Sequence, residues 1–357
     1  MKKRKVNSKK WIKVSIFTTF LGFLLLMMTN YTVDPFNIFH SKILKHDFQE
    51  NERFVKIEYL EKNHNKFNGY MIGSSRIGTT PPKTVEQYIP NSKIYNLTMN
   101  GATMYDYLMH IRYMINRGYP IETIYLQLDV INMTYYGGLE SDYLSKLHPY
   151  VEDKSLAPFY FDYLTGFFPF NIKNKIAQNF NYTFTTTYNL ETGIWANPTK
   201  EKEISENCEE YVKNQKSFHA KNRRILKYLT KKEFIPDLKE IIHLCKTHHI
   251  KLYTFMMPHN QVLMDSFVVD DYLHYLKDIS ELTDFYDFSG YNSITTNNCN
   301  YYERSHYRPK IGELIAGRIF NNKNIKIPDD FGKLVTKKNI KEYLEIRKKE
   351  ILKHDIN

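Results

Sequence analysis

Two short segments, far apart in the chain, carry residue types that can do chemistry together. The first is Gly73-Ser74-Ser75-Arg76, directly after the apolar run Tyr70-Met71-Ile72. A serine hydroxyl is a weak nucleophile until a base takes its proton, and a turn that follows a strand exposes the hydroxyl to such a base. The second is Glu303-Arg304-Ser305-His306-Tyr307, just ahead of a helical pattern. An acid three residues before a histidine reaches the imidazole, fixes its tautomer and stabilises the imidazolium. Each segment is ordinary when taken singly, because Gly and Ser are turn residues and Glu and His are common on surfaces. Their order in the chain and their placement at element ends give the pair its weight.

Other reactive side chains carry less. Pro258-His259 follows a strand pattern and is placed to face the same cleft, although a histidine in a turn is more often structural. His243, His248 and His249 fall at a helix end, where a solvent or dipole-compensating role fits. Arg76 has two open roles, an anionic acceptor's partner or a structural ion pair. Cys208, Cys245 and Cys299 are widely spaced, with no CxxC or Cys/His pattern, so neither a zinc site nor any other metal or cofactor is expected. One disulfide fits an oxidising compartment, with the pair left open. Asn96, Asn132 and Asn181 each begin an Asn-x-Thr triplet, a pattern frequent by chance.

The elements that must position these residues read as alternating strands and helices. Apolar runs at 69–73, 94–97, 121–130, 251–257 and 284–288 read as strands. Periods of three and four place Leu108, Ile111, Met114 and Ile115 on one face of a helix at 104–117, and Leu238, Ile241, Ile242 and Cys245 on one face at 236–249. Residues 270–282 and 308–320 are also helical in pattern. This alternation predicts an α/β fold with a parallel sheet covered by helices on both faces, and ligands bind such sheets at the carboxyl ends of the strands. Residues 140–234 interrupt the rhythm with aromatics, Asn and Thr. They read as an insertion beside the site, either a lid or acceptor-binding element or a structural flap. A charged helix at 334–353 reads as solvated.

The net charge of +11 on 357 residues invites a nucleic-acid reading, but its location argues against one. Seven Lys and Arg precede the first acidic residue, and residues 321–357 hold ten Lys/Arg against six Asp/Glu, which leaves 14–320 neutral. Val14 to Val33 is uncharged for 20 residues, about 30 Å as a helix and enough to cross a hydrocarbon core. Trp11 and Tyr31 lie where interfacial aromatics are expected, and the basic cluster predicts a cytoplasmic N-terminus with the body translocated. A cleaved signal peptide and a buried core helix are the rival readings, and no small-x-small site follows Met28. The expected organisation is therefore a cytoplasmic segment at 1–13, a transmembrane anchor at 14–33 and a juxtamembrane segment at 34–66. A catalytic domain at 67–320 follows, with its insertion at about 140–234, and then a basic helical tail at 321–357.

With these residues in view, the chain resembles the SGNH (GDSL-like) hydrolase superfamily over roughly residues 67–320. It looks closest to the membrane-anchored acyltransferase branch, the D-alanyl transfer proteins and the alginate and peptidoglycan O-acetylation proteins. The resemblance implies a flavodoxin-like three-layer fold with Ser75 as nucleophile, His306 as base and Glu303 as orienting acid, a Glu where the family usually has Asp. Ser74 stands where many members have Asp and is the fallback nucleophile. Gly101, in Asn96-Leu97-Thr98-Met99-Asn100-Gly101, fits the family's glycine block, and its N–H would join that of Ser75 at an oxyanion. The family's Gly-x-Asn-Asp block is replaced by Leu128-Asp129-Val130-Ile131-Asn132, so Asn132 or Asn100 is left as substitute donor. That departure favours a divergent acyltransferase over a standard soluble esterase. The expected function is an extracytoplasmic O-acyltransferase acting on a cell-surface glycan, with a multi-pass membrane acyltransferase as donor partner and no nucleic acid. An esterase or deacetylase using the same residues, and a non-catalytic glycan-binding or assembly protein, are the alternatives.

Overall fold

In a computed structural model the described residues are 8–44, 50–131, 142–181, 186–221, 224 and 234–356. The apolar runs form the strands β1 (Gly69–Ser74), β2 (Ile94–Met99) and β3 (Thr123–Leu128), each buried along its whole length. Burial on both faces explains why they read as near-continuous hydrophobic runs rather than alternating ones. Two small antiparallel pairs lie outside the main sheet. One is β4 (Thr187–Asn189) with β5 (Ile194–Ala196), and the other is β8 (Tyr301–Glu303) with β9 (His306–Tyr307). The main sheet is completed by β6 (Lys251–Met256), β7 (Phe285–Asp287) and β10 (Lys333–Val335), in the spatial order β10-β7-β6-β3-β1-β2. All of its pairings are parallel except β10 on β7.

Side chains alternate between two cores, as the period of a strand requires. Tyr70, Ile72, Leu97, Ile124, Leu126 and Met256 pack with Ile111 and Met114 of the helix Met104–Asn116 and Leu238 and Ile241 of the helix Phe234–Thr247. Met71, Tyr125 and Phe255 point to the opposite face, against Ile311 and Ile315 of the helix Pro309–Ile319. The protein is thus an α/β molecule with a mostly parallel central sheet flanked by helices. The chain leaves β1 for β2 on one side and returns to β3 on the other. The crevice at the carboxyl ends of β1 and β3 is therefore a topological switch point, where open sheets of this kind bind ligands.

The N-terminal helix Ser8–Val33 is long and apolar enough to span a membrane, with a mean hydropathy of 1.9 over its most apolar window. It starts earlier than the uncharged stretch and takes in Lys9, Lys10 and Lys13. The insertion lies in the connection from β3 to β6. Its described part contains the helical hairpin Leu156–Thr165 and Pro169–Asn181, the β4–β5 pair, and the helices Pro198–Glu206 and Cys208–Asn214.

The end of the chain departs from the expected solvated helix over 334–353. Its first residues are instead the edge strand β10, and the helix runs Ile340–Ile356. Thr336 Oγ1 accepts the N–H groups of Lys338 and Asn339, which starts the helix after the strand. Ile351 and Arg347 of that helix are buried, and the Arg347 guanidinium meets Asp287 at the end of β7, so this helix is part of the core.

Candidate active site

β1 delivers the serine pair. Ser74 is the last residue of the strand and Ser75 opens a single 3₁₀ turn, Ser75–Ile77. The two hydroxyls have different surroundings. Ser74 is buried and Gln127 of β3 holds it, accepting the Ser74 N–H at 2.9 Å and donating to its Oγ from Nε2 at 3.0 Å. Gly73 makes this grip feasible, since a Cβ there would lie 2.4 Å from Gln127 Oε1. Ser75 is half-buried, and its Oγ lies 2.9 Å from His306 Nε2.

The acid-x-x-His spacing works through a β-hairpin. Glu303 ends β8, His306 begins β9, and Arg304-Ser305 forms the two-residue connection, so the acid and the imidazole are directly opposite cross-strand partners. Glu303 Oε1 is hydrogen-bonded to His306 Nδ1, and its Oε2 accepts the Ser305 N–H at 2.9 Å. Burial alone would raise the Glu303 carboxyl. The hydrogen bond and charge of His306, with the Ser305 N–H, overcome that and hold it below the usual glutamate range. An ionised Glu303 on Nδ1 leaves Nε2 as the nitrogen that faces Ser75, the tautomer a general base requires.

Two residues absent from the sequence reading complete the surroundings. The Trp195 indole N–H donates to the Ser75 carbonyl at 2.9 Å, and its ring meets His306 edge-on with centroids 5.4 Å apart. Trp195 arrives there because the β4–β5 hairpin docks along β2. Asn96 N–H bonds to the Thr192 carbonyl at 3.0 Å, and Trp195 N–H bonds to the Gly78 carbonyl at 3.0 Å. Gly193 permits the approach, since a Cβ there would stand 2.1 Å from the Asn96 oxygen. Gln127 is the other, and no spacing signal marks either residue.

Asp129, just past β3, holds a second buried group together. Arg76 Nη1 lies 2.5 Å from Asp129 Oδ2, and His259 Nε2 lies 3.3 Å from Oδ1. Burial opposes the charge on Asp129, but Arg76 and His259, with the Ile131 N–H, keep its carboxyl well below the usual carboxylate range. Of its two open roles, Arg76 thus takes the ion pair. His259 lies just past the carboxyl end of β6, beside this pair, while His243 on the helix Phe234–Thr247 and His248 and His249 in the turn after it are exposed.

The oxyanion candidates fall as follows. Gly101 lies two residues past β2, and β2 is paired with β1 so that Met99 faces Ser74. Asn100 is exposed, and its main-chain N–H donates to Glu52 Oε2 at 2.7 Å. Asn132 lies outside the described residues. Among the described residues, no three His, Cys, Asp or Glu side chains converge as a metal site would require.

No protein-family model matches this chain, and no curated protein matches it at a significant level.

The insertion is fastened to the strands that carry the acid and the base. Glu201 of the helix Pro198–Glu206 receives the Arg308 guanidinium and the Tyr302 hydroxyl, the latter at 2.9 Å. Cys208 is bridged to Cys299, two residues ahead of β8, while Cys245 is a free buried thiol. The sequon at Asn96 is no glycan acceptor, because that side chain is fully buried, with its amide on the carbonyls of Ile77 and Thr80.

Proposed function

We propose that this chain is an SGNH-type serine O-acyltransferase, anchored in a membrane by Ser8–Val33, that modifies a cell-surface glycan from the extracytoplasmic side. One observation carries the reading: the continuous relay from Ser75 Oγ to His306 Nε2 and from Nδ1 to Glu303. Each link has the chemical role that nucleophilic acyl transfer needs. The strand order supports the flavodoxin-like assignment within the α/β class, since the five parallel strands follow the doubly wound order 2-1-3-4-5 when counted along the chain.

In this mechanism His306 Nε2 accepts the Ser75 proton as Oγ attacks the carbonyl carbon of a small acyl donor. The carbonyl π electrons move to oxygen, and the Ser75 and Gly101 N–H groups stabilise that oxyanion. As the intermediate collapses, His306 returns its proton to the departing group and an ester on Ser75 remains. A sugar hydroxyl then gives its proton to His306, attacks the ester carbon and leaves as the acylated glycan, and Ser75 regains its hydrogen. Glu303 stays ionised throughout and stabilises the imidazolium in both steps. The Trp195 ring beside His306 and the aromatic insertion favour a sugar over water as acceptor, because pyranose faces stack on aromatic rings. The Cys208–Cys299 bridge supports a translocated body, since disulfides persist outside the reducing cytosol.

The test compares the acyl content of surface glycans in cells carrying wild-type protein, Ser75→Ala or no protein. Loss of acylation in Ser75→Ala to the level of the empty strain is the expected result. Unchanged acylation in Ser75→Ala refutes the catalytic reading, and a higher acyl content without the protein refutes the transferase direction in favour of a deacetylase.

A further inference from the structure

The N-terminal helix fixes a height in the bilayer. Trp11 and Tyr31 are exposed and lie twenty residues apart, about 30 Å along a helix and the thickness of a hydrocarbon core. Between them Phe17, Phe20, Leu21, Leu25 and Met28 all face outward. At the Tyr31 end the helix is tied to the hairpin Leu156–Thr165 and Pro169–Asn181. Asn30, the buried residue of the helix, donates from Nδ2 to the Leu164 and Gly166 carbonyls at 2.8 Å each. The buried Lys175 Nζ donates to the Asp34 carbonyl at 2.6 Å, and Phe36 packs edge-on to Phe168 with centroids 4.9 Å apart. Both arms of the hairpin are thereby locked to the point where the helix leaves the hydrocarbon.

The same hairpin turns bare aromatic rings outward. Phe161, Phe167 and Phe170 are 57%, 81% and 70% exposed. Their distance from the end of the spanning helix is bounded by the Asn30 contacts. Phe167 is the residue after Gly166, so it starts about 3.8 Å from the level of Asn30. Phe161 is five residues back along a helix, about 7.5 Å, and Phe170 is three residues beyond Phe167, at most about 11 Å further. All three therefore lie within about 15 Å of Asn30, close enough to the end of the spanning helix to reach the headgroup and acyl boundary. In water they would form an apolar patch with nothing to cover it.

We infer that the 156–181 hairpin is a second membrane contact, with Phe161, Phe167 and Phe170 inserted into lipid of the leaflet where Ser8–Val33 ends. The occupant is bilayer lipid because the patch continues the outward apolar wall of the spanning helix and its three anchors offer no polar atom for a directed partner. The inference rests on the membrane anchor of the proposed function and is independent of the serine chemistry. Two attachments, one crossing the bilayer and one lying in its surface, fix the tilt of the body as well as its distance from the membrane.

The test uses the full chain in phosphatidylcholine–phosphatidylglycerol vesicles, with a nitroxide on a single introduced cysteine. The native cysteines do not compete, since Cys208 and Cys299 are bridged and Cys245 is buried. Phe161→Cys, Phe167→Cys and Phe170→Cys are compared with Leu21→Cys as hydrocarbon reference and with Lys338→Cys, an exposed position on the body, as water reference. The expected result is a severalfold lower collision rate with a water-soluble nickel complex than at Lys338, with a raised collision rate with oxygen, at all three hairpin positions. Nickel accessibility equal to that of Lys338, with Leu21 shielded, overturns the inference and leaves the patch to a protein partner. An accessible Leu21 overturns the anchor and the inference together. Neither result alters labelling of Ser75 by a serine-directed probe, so failure here is distinct from failure of the catalytic reading.

Discussion

Glu303 and His306 are matched because a two-residue turn sets them opposite one another, and Ser75 meets the imidazole because β1 ends one residue earlier. Chemistry at this scale depends on which atom faces which. Ser74 Oγ is held by Gln127 inside the sheet while Ser75 Oγ faces His306, so one of two adjacent serines has a base. Replacing Glu303 by Gln keeps the shape but removes the charge and lets the amide donate to Nδ1, which disfavours the productive tautomer. The predicted loss is roughly 10²–10⁴-fold in kcat/KM on a chromogenic ester, with Ser75 still in place. A Glu303→Gln variant with wild-type rates would remove the acid from the relay. The acid and base were visible in sequence because their spacing is local and repeats a known pattern. Trp195 and Gln127 were not. Trp195 lies in an aromatic-rich insertion where no interval singles it out, and Gln127 is one polar residue within an otherwise strand-like run, with nothing to show that its partner is the serine 53 positions earlier.

At the level of elements, the strands and the helices at 104–116 and 234–247 were legible because each buries one periodic face or is buried throughout. β10 was not, since the triplet Lys333-Leu334-Val335 is too short to show a period and is flanked by charge. The disulfide was equally hidden, because three cysteines allow three pairings and only the fold sets Cys208 beside Cys299, with Cα atoms 5.7 Å apart. That bridge closes a loop of 91 residues, so a Cys208→Ser/Cys299→Ser variant should lose about 2–5 kcal/mol and melt at lower temperature. Equal melting temperatures under non-reducing conditions would show that Glu201 and Arg308 hold the insertion without it. The helix Met104–Asn116 also carries a buried acid sensitivity. Burial lowers His110 from 6.5 to about 4, despite its hydrogen bond to the Asp106 carbonyl, so the folded protein keeps it neutral. Below pH 6.5 the unfolded chain binds a proton that the folded one refuses until about pH 4. Stability is therefore full above pH 6.5 and falls across that window, by about 3 kcal/mol in all. Urea midpoints of wild type should drop more steeply between pH 7 and pH 4 than those of His110→Gln. Parallel curves would assign the acid sensitivity elsewhere.

For the whole molecule, the charge that first suggested nucleic acid is better explained by position. Seven cations precede an uncharged stretch of 20 residues, the body between the two ends is neutral, and the fold presents its serine relay at the carboxyl edge of a parallel sheet. The anchor, the oxidised cysteine pair and the relay belong to one account only if Ser75 is reactive on the outer side of the membrane. The direct measurement is labelling of intact cells with a membrane-impermeant fluorophosphonate, followed by identification of the modified residue. The account predicts labelling at Ser75 without lysis, kept in Ser74→Ala and lost in both Ser75→Ala and His306→Ala. Labelling that appears only after lysis, or that persists in Ser75→Ala and disappears in Ser74→Ala, would contradict it.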